Sequence, residues 1–149
     1  MYAKMLVPLD GSALAECVLP HAKAIAKGCT VREIVLLRVV EPPPTMGAEG
    51  IDFVALQSAD KDAAGAYLAR IESQLSAEGF KASSQVVAGR AAEAISDFVH
   101  NNQVDLIALA THGRSGISRL VFGSVADRLI RSASVPVLLV RPKADERAA

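Results

Sequence analysis

The stretch THGRSGISRLVFGS, residues 111–124, follows directly on the apolar run VDLIALA at 104–110. Small and cationic groups gather where a buried strand should end: Gly113 and Gly116, the hydroxyls of Thr111, Ser115 and Ser118, then His112, Arg114 and Arg119. Glycines let a backbone approach a ligand closely, and successive N–H groups in such a turn form a concave anion site. Gly123-Ser124 then opens a helix, and SVAD at 124–127 has the Ser-x-x-Asp form of a capping box. A helix start presents unpaired N–H groups and the positive end of the helix dipole. The chain thus offers two anion positions, the turn at 111–113 and the helix start at 123–125, with 114–122 folded between them and Arg114 and Arg119 adding charge. A phosphate is the anion they suit. A plainer reading stands beside it, in which these glycines are ordinary turn residues and Ser124 an ordinary N-cap. Neither G-x-G-x-x-G nor G-x-x-x-x-G-K-[ST] occurs anywhere.

Asp10, at the end of the first apolar run, is the other chemically able group. Its carboxylate would accept hydrogen bonds from a ribose or an adenine amino group, or else cap its own loop through the amides of Gly11 and Ser12. Catalytic patterns fare worse. GRSGI fails the G-x-S-x-G nucleophile elbow because Ile117 stands where glycine is required. His112 and Ser115 lack a third group to orient the imidazole. His21 and His100 fall on helices as packing or surface residues, and three dispersed histidines make no metal site. No catalytic residue and no protein-held metal is assigned.

The elements that must position these groups alternate. Strands are read at 2–9, 32–40, 81–89, 104–110 and 135–142. Helices are read at 13–28, 51–78, 90–102 and 123–133. The first helix should turn Leu14, Val18, His21 and Ile25 inward, stop at Gly28 and kink at Pro20. The second has Val54, Leu68, Ile71 and Leu75 as core contacts, and the third Ala94, Ile95, Phe98 and Val99. EPPPTMGAEG at 41–50 is a loop. Strands separated by helices imply parallel pairing through right-handed crossovers, hence a three-layer α/β fold. Runs such as LIALA and VLLV suit strands covered on both faces. Pro8, with no N–H, suits the last residue of a strand rather than its middle. Ligands of such sheets sit outside the carboxyl ends of the strands where strand order reverses, so PLDGS at 8–12 and THGRSG at 111–116 should meet.

Composition bounds the alternatives. With 149 residues the chain reads as one domain over 1–149, and 51% hydrophobic content supplies a well-covered core. No apolar stretch reaches the length of a membrane span, and MYAKMLVPLDGS does not read as a cleavable leader, so a cytoplasmic location is expected. Cys17 and Cys29 are too few for a disulfide framework and read as buried thiols. Residues 1–110 carry nine basic and thirteen acidic side chains, residues 111–149 seven basic and three acidic. The basic excess begins at the glycine-rich stretch, which suits a local anion. Six aromatic residues supply base-stacking platforms poorly, which argues against a nucleic-acid partner.

KMLVPLDGSALAECVLPHAKAIA at the front and DLIALATHGRSGISRLVFGSVADRLIRSASVPVLLVRP at the back resemble the universal stress protein family, and the likeness runs the length of the chain. The family's ATP-binding branch carries Gly-x-x-Gly, nine residues, then Gly-Ser or Gly-Thr. Gly113, the spacer 114–122 and Gly123-Ser124 match; Ala110 replaces the first glycine, which matters if position 110 needs positive φ or the closest backbone approach. The resemblance implies a Rossmann-like fold of the adenine nucleotide alpha hydrolase-like type with strand order 3-2-1-4-5. It implies ATP as ligand, with Mg2+ or Mn2+ carried on the phosphates. Pro8, Leu9 and Asp10 would line the adenine and ribose side, Val39 would flank the base with Leu109 and Ala110 opposite, and the amides of Gly113, Gly123, Ser124 and Val125 would hold phosphates beside His112 and Arg114. It further implies a homodimer through the last strand, Val135 to Val140. ATP hydrolysis, if present, would be slow, since no general base is evident. The competing reading is an interaction protein of the same fold with a vestigial site.

Overall fold

The computed structural model describes residues 2–42, 52–111 and 123–142. In chain order the elements are β1 (Lys4–Pro8), α1 (Ala13–Glu16), α2 (Leu19–Gly28), β2 (Glu33–Val40), α3 (Phe53–Ala77), β3 (Ala82–Ala88), α4 (Ala91–Asn101), β4 (Leu106–Ala110), α5 (Ser124–Ser132) and β5 (Val137–Val140). The five strands form one parallel sheet in the order β3-β2-β1-β4-β5, as expected from the alternation of elements. The chain leaves β1 toward β2 on one side and returns to β4 on the other, so the crevice of this sheet opens beyond Pro8 and Ala110.

Strand period two divides the core into two layers. Met5, Val7, Ile34, Leu36, Leu106 and Ala108 meet Ala22 and Ala26 of α2 and Leu68, Ile71 and Leu75 of α3. Leu6, Val35, Leu37, Ile107 and Leu109 meet Ile95, Phe98 and Val99 of α4 and Ala126 and Leu129 of α5. Burial of both strand faces accounts for the unbroken apolar runs. Pro8 ends β1, where its register partner is Leu37 and the chain continues through Leu9 N–H donating to the Leu37 carbonyl at 2.9 Å.

Four expectations need correction. The helix read over 13–28 is two helices. A proline ring collides with the carbonyl four residues back, so the chain breaks at Cys17-Val18 and Pro20 falls in the first turn of α2, where no intrahelical N–H is needed. The break shifts the phase of the inward face to Ala15, Val18, Ala22 and Ala26; Leu14 and Ile25 are half-buried and His21 is exposed. Val54 is 80% exposed rather than in the core. At 25 residues α3 is about 38 Å long, whereas the eight residues of β2 span about 26 Å, so the helix overshoots the sheet. Ala94, third, is only half-buried, and Ala92 takes the buried place on α4. Cys17 is buried, as expected of a core thiol, whereas Cys29, also expected to be buried, is only half-buried at the end of α2. No helix among the described residues is long and apolar enough to cross a membrane.

Candidate functional site

The end of β1 is shaped by side chains. Gly11, at φ +86°, takes the left-handed conformation that turns the chain out of the strand. Asp10 Oδ1 then accepts from the backbone N–H of Ser12 at 2.9 Å and from its hydroxyl at 2.5 Å. Ser12 Oγ in turn accepts from Ala15 N–H at 3.1 Å, which makes Ser12 the N-cap of α1. Asp10 is thus the loop cap of one sequence reading, through Ser12, while its side chain lines the crevice.

The end of β4 is shaped by backbone. Thr111, 3% exposed, donates its N–H to the Val140 carbonyl at 2.8 Å, and its own carbonyl accepts from Gly123 N–H at 2.7 Å. That bond seats the start of α5 against the end of β4. Two sequence expectations change here. Gly123, not Ser124, is the N-cap, with no side-chain cap bond, so the Ser-x-x-Asp capping box does not form. Asp127 instead pairs with Arg131 one turn on, at 3.1 and 3.3 Å. The Gly123 N–H, expected on a phosphate, is committed to Thr111. The amides left at the helix start are those of Ser124, Val125 and Ala126, which have no acceptor within the helix. Ala110 lies in β4 opposite Val140, and the non-glycine residues with positive φ among those described are Thr30 and Gln103. Its methyl group therefore imposes no backbone strain.

Between these ends lies a cleft of about 440 Å³. Pro8, Leu9, Asp10, Val39, Leu109, Ala110, Gly123, Ser124 and Val125 all line it, so the structure brings these expected residues from β1, β2, β4 and α5 to one cleft. His112, Gly113 and Arg114 lie outside the described residues. Leu37, Val39, Ile95 and Leu109 make the wall apolar on the α4 side, suited to a flat ring, while the start of α5 offers N–H groups to an anion. Thr111, from the expected anion turn, also lines the cleft, and sequence reasoning missed Arg38, Glu41 and Ala91, which line it too. Arg38 carried a signal, as the lone charge inside the apolar run IVLLRVV. Ala91 had a general one, because every strand of such a sheet delivers its following loop to the same edge.

A second compartment of about 600 Å³ adjoins the first and shares Asp10, Arg38, Val39, Glu41, Ala91 and Val125 with it; Asp60, Ala63 and Tyr67 of α3 close its far side. The Tyr67 hydroxyl donates to Glu16 Oε1 at 3.0 Å, and Arg70 Nη2 reaches the same oxygen at 3.2 Å. Burial, then the negative charge of Glu16 and their hydrogen bond, with Asp10 adding to it, hold the Tyr67 hydroxyl well above the usual phenol range. Among the described residues no group of three or more His, Cys, Asp or Glu side chains is placed to hold a metal ion.

Comparison with known proteins gives this geometry a family context. A model of the universal stress protein family matches residues 1–141. Universal stress protein MJ0531 of Methanocaldococcus jannaschii is 32% identical over 143 residues, covering 95% of this chain and 83% of that one. The solved structure of MJ0577, a universal stress protein of the same organism, superposes with a TM-score of 0.85 at 31% identity, covering 96% of this chain and 98% of the other. A universal stress protein family protein from Arabidopsis thaliana, solved with AMP bound, shares the fold at a TM-score of 0.70 and 19% identity, over 97% of this chain and 94% of its own.

Proposed function

The chain belongs to the universal stress protein family, and on that premise we propose that it is a nucleotide-dependent regulatory protein whose cleft holds ATP. The observation that carries the reading is the convergence of Asp10, Val39, Leu109 and the start of α5 on one cleft beyond the strand ends. An adenine lies between Val39 and Leu109, the ribose faces Asp10, and the phosphates meet the amides of Ser124 and Val125. Mg2+ or Mn2+ travels with the phosphates, as suits a small cation that keeps its waters. An AMP-carrying protein of the same fold supports an adenine nucleotide as the ligand class, by analogy of fold.

The protein acts as a single domain over 1–149 in the cytoplasm, without a nucleic-acid partner, and pairs with a second copy through Val135–Val140. β5 lies at the edge of the sheet, with β4 on one side only. Hydrolysis is slow or absent, since Asp10 is engaged with Ser12 rather than poised over water. The alternative, an interaction protein with a vestigial site, drew its argument from Ala110. The ordinary backbone of that residue removes the part of the argument that rested on positive φ.

Thermal unfolding with and without millimolar ATP–Mg tests the reading. A dissociation constant of tens of micromolar, about 6 kcal/mol, keeps the site filled at cellular ATP. At 100 times that constant, ATP stabilises the fold by about 2.7 kcal/mol, a shift of several degrees. No shift, with no nucleotide released on denaturing the purified protein, sinks this reading in favour of the alternative.

A further inference from the structure

Four of the cleft's hydrogen bonds do not stop at the cleft. Asp10 Oδ1 holds Ser12 by its N–H and its hydroxyl, Ser12 Oγ caps α1 at Ala15, and Glu16, at the other end of the same four-residue helix, accepts from Tyr67 of α3. The helix between them is a single turn, closed where it meets α2 by Cys17 N–H and Val18 N–H donating to the Leu14 and Ala15 carbonyls at 3.4 Å each. Tyr67 lies close to where α3 leaves the core. Burial along α3 begins at Ala64; from 54 to 63 every residue but Gln57 is exposed, and Asp60 and Ala63 overhang the second compartment.

We propose that Tyr67 is a positioning residue that couples nucleotide occupancy of the cleft to the projecting half of α3, acting through Glu16, α1 and the Asp10–Ser12 turn. The inference rests on the nucleotide reading for its ligand, but the mechanical link it describes is a property of the chain alone. A ligand that fixes Asp10 fixes Ser12 and the first turn of α1, which aims Glu16 at Tyr67. The hydroxyl of Tyr67 then holds α3 close to Ala64, where burial along its described residues begins. Linkage makes the effect reciprocal: whatever affinity the latch lends the nucleotide, the nucleotide returns as order in α3. The neighbouring charge of Asp10 acts on the Tyr67 hydroxyl, which agrees with the closeness of the two ends of this chain of contacts.

The test is hydrogen exchange of the full chain, with and without saturating ATP–Mg, in wild type, Tyr67→Phe and Glu16→Gln, together with nucleotide affinity. ATP should slow exchange over residues 54–66 at least threefold in wild type. Tyr67→Phe should bind ATP about three- to tenfold more weakly, the measure of one lost hydrogen bond, and show no ATP-dependent protection of 54–66 even when saturated. Glu16→Gln keeps an acceptor oxygen for Tyr67, so it should behave as wild type. Without nucleotide, Tyr67→Phe should speed exchange over residues 12–18. Wild-type affinity and protection in Tyr67→Phe overturn the proposal. If wild type binds no nucleotide yet Tyr67→Phe still loosens 12–18, the link stands and the nucleotide reading falls. If neither occurs, both fall.

Discussion

On the β1 side of the cleft, side chains hold the turn: Asp10 grips Ser12 and Ser12 caps α1. On the β4 side the backbone does the same work, with Thr111 tied to Val140 and Gly123 tied to Thr111, and no side chain capping α5. The first wall is therefore specified by polar residues at fixed spacing. The second is specified by backbone: Gly123, as the N-cap, brings no side chain of its own over the first amides of α5. On the nucleotide reading, the wall held by side chains would face the sugar and the wall held by backbone the phosphates.

The largest expected effect lies on the backbone wall. Gly123 has φ −54° and ψ 151°, angles open to any residue, so Gly123→Val should fold normally. Its side chain would stand in the cleft beside the amides of Ser124 and Val125. The substitution should abolish the stabilisation of about 2.7 kcal/mol that ATP at 100 times its dissociation constant gives wild type. Paired melting curves with and without ATP–Mg decide it; a full response in the variant means that the phosphates do not sit at the start of α5.

The same contrast explains which features were legible in the amino-acid sequence. Asp10 and Ser12 act through side chains two residues apart, and both readings of Asp10, ligand-facing and loop-capping, were open from local spacing alone. The strands were legible because two-sided burial leaves runs such as LIALA, and their order followed from the resemblance once the family was in view. What lay beyond reach depends on distant partners. The commitment of Gly123 N–H to Thr111 is a contact across twelve residues, invisible to a capping pattern that looks three residues ahead. Val54 reads as an inward position by helical period, yet the sheet it should cover ends before it does. Pro20 announced a disturbance correctly, but its size, a break with a change of phase rather than a kink, was decided by where the preceding turn could end.

A middle-sized effect belongs to the side-chain wall. Ser12→Ala removes the N-cap of α1 and the hydroxyl that Asp10 holds, while the Ser12 backbone N–H still donates to that carboxylate. Loss of such a cap costs about 1 kcal/mol of folding stability. Because the turn loses its rigidity without losing Asp10, nucleotide should still bind, but more weakly. Denaturant unfolding and a binding isotherm on the same variant separate the two losses. If stability falls while affinity holds, Asp10 is positioned by the strand rather than by its serine.

The smallest effect tests the one departure from the family signature. Ala110→Gly restores the glycine that the ATP-binding pattern carries, at a site where the chain already has its alanine comfortably in β4 opposite Val140. An extended residue with ordinary φ draws no benefit from glycine's freedom, and glycine within a strand costs about 0.5–1 kcal/mol. The substitution should therefore lower stability slightly and leave nucleotide affinity within about twofold, well under the 1.4 kcal/mol of a tenfold change. A large gain in affinity would instead mean that the alanine methyl group meets the nucleotide. The two walls would then differ in fit as well as in construction, with the backbone wall the poorer of the two.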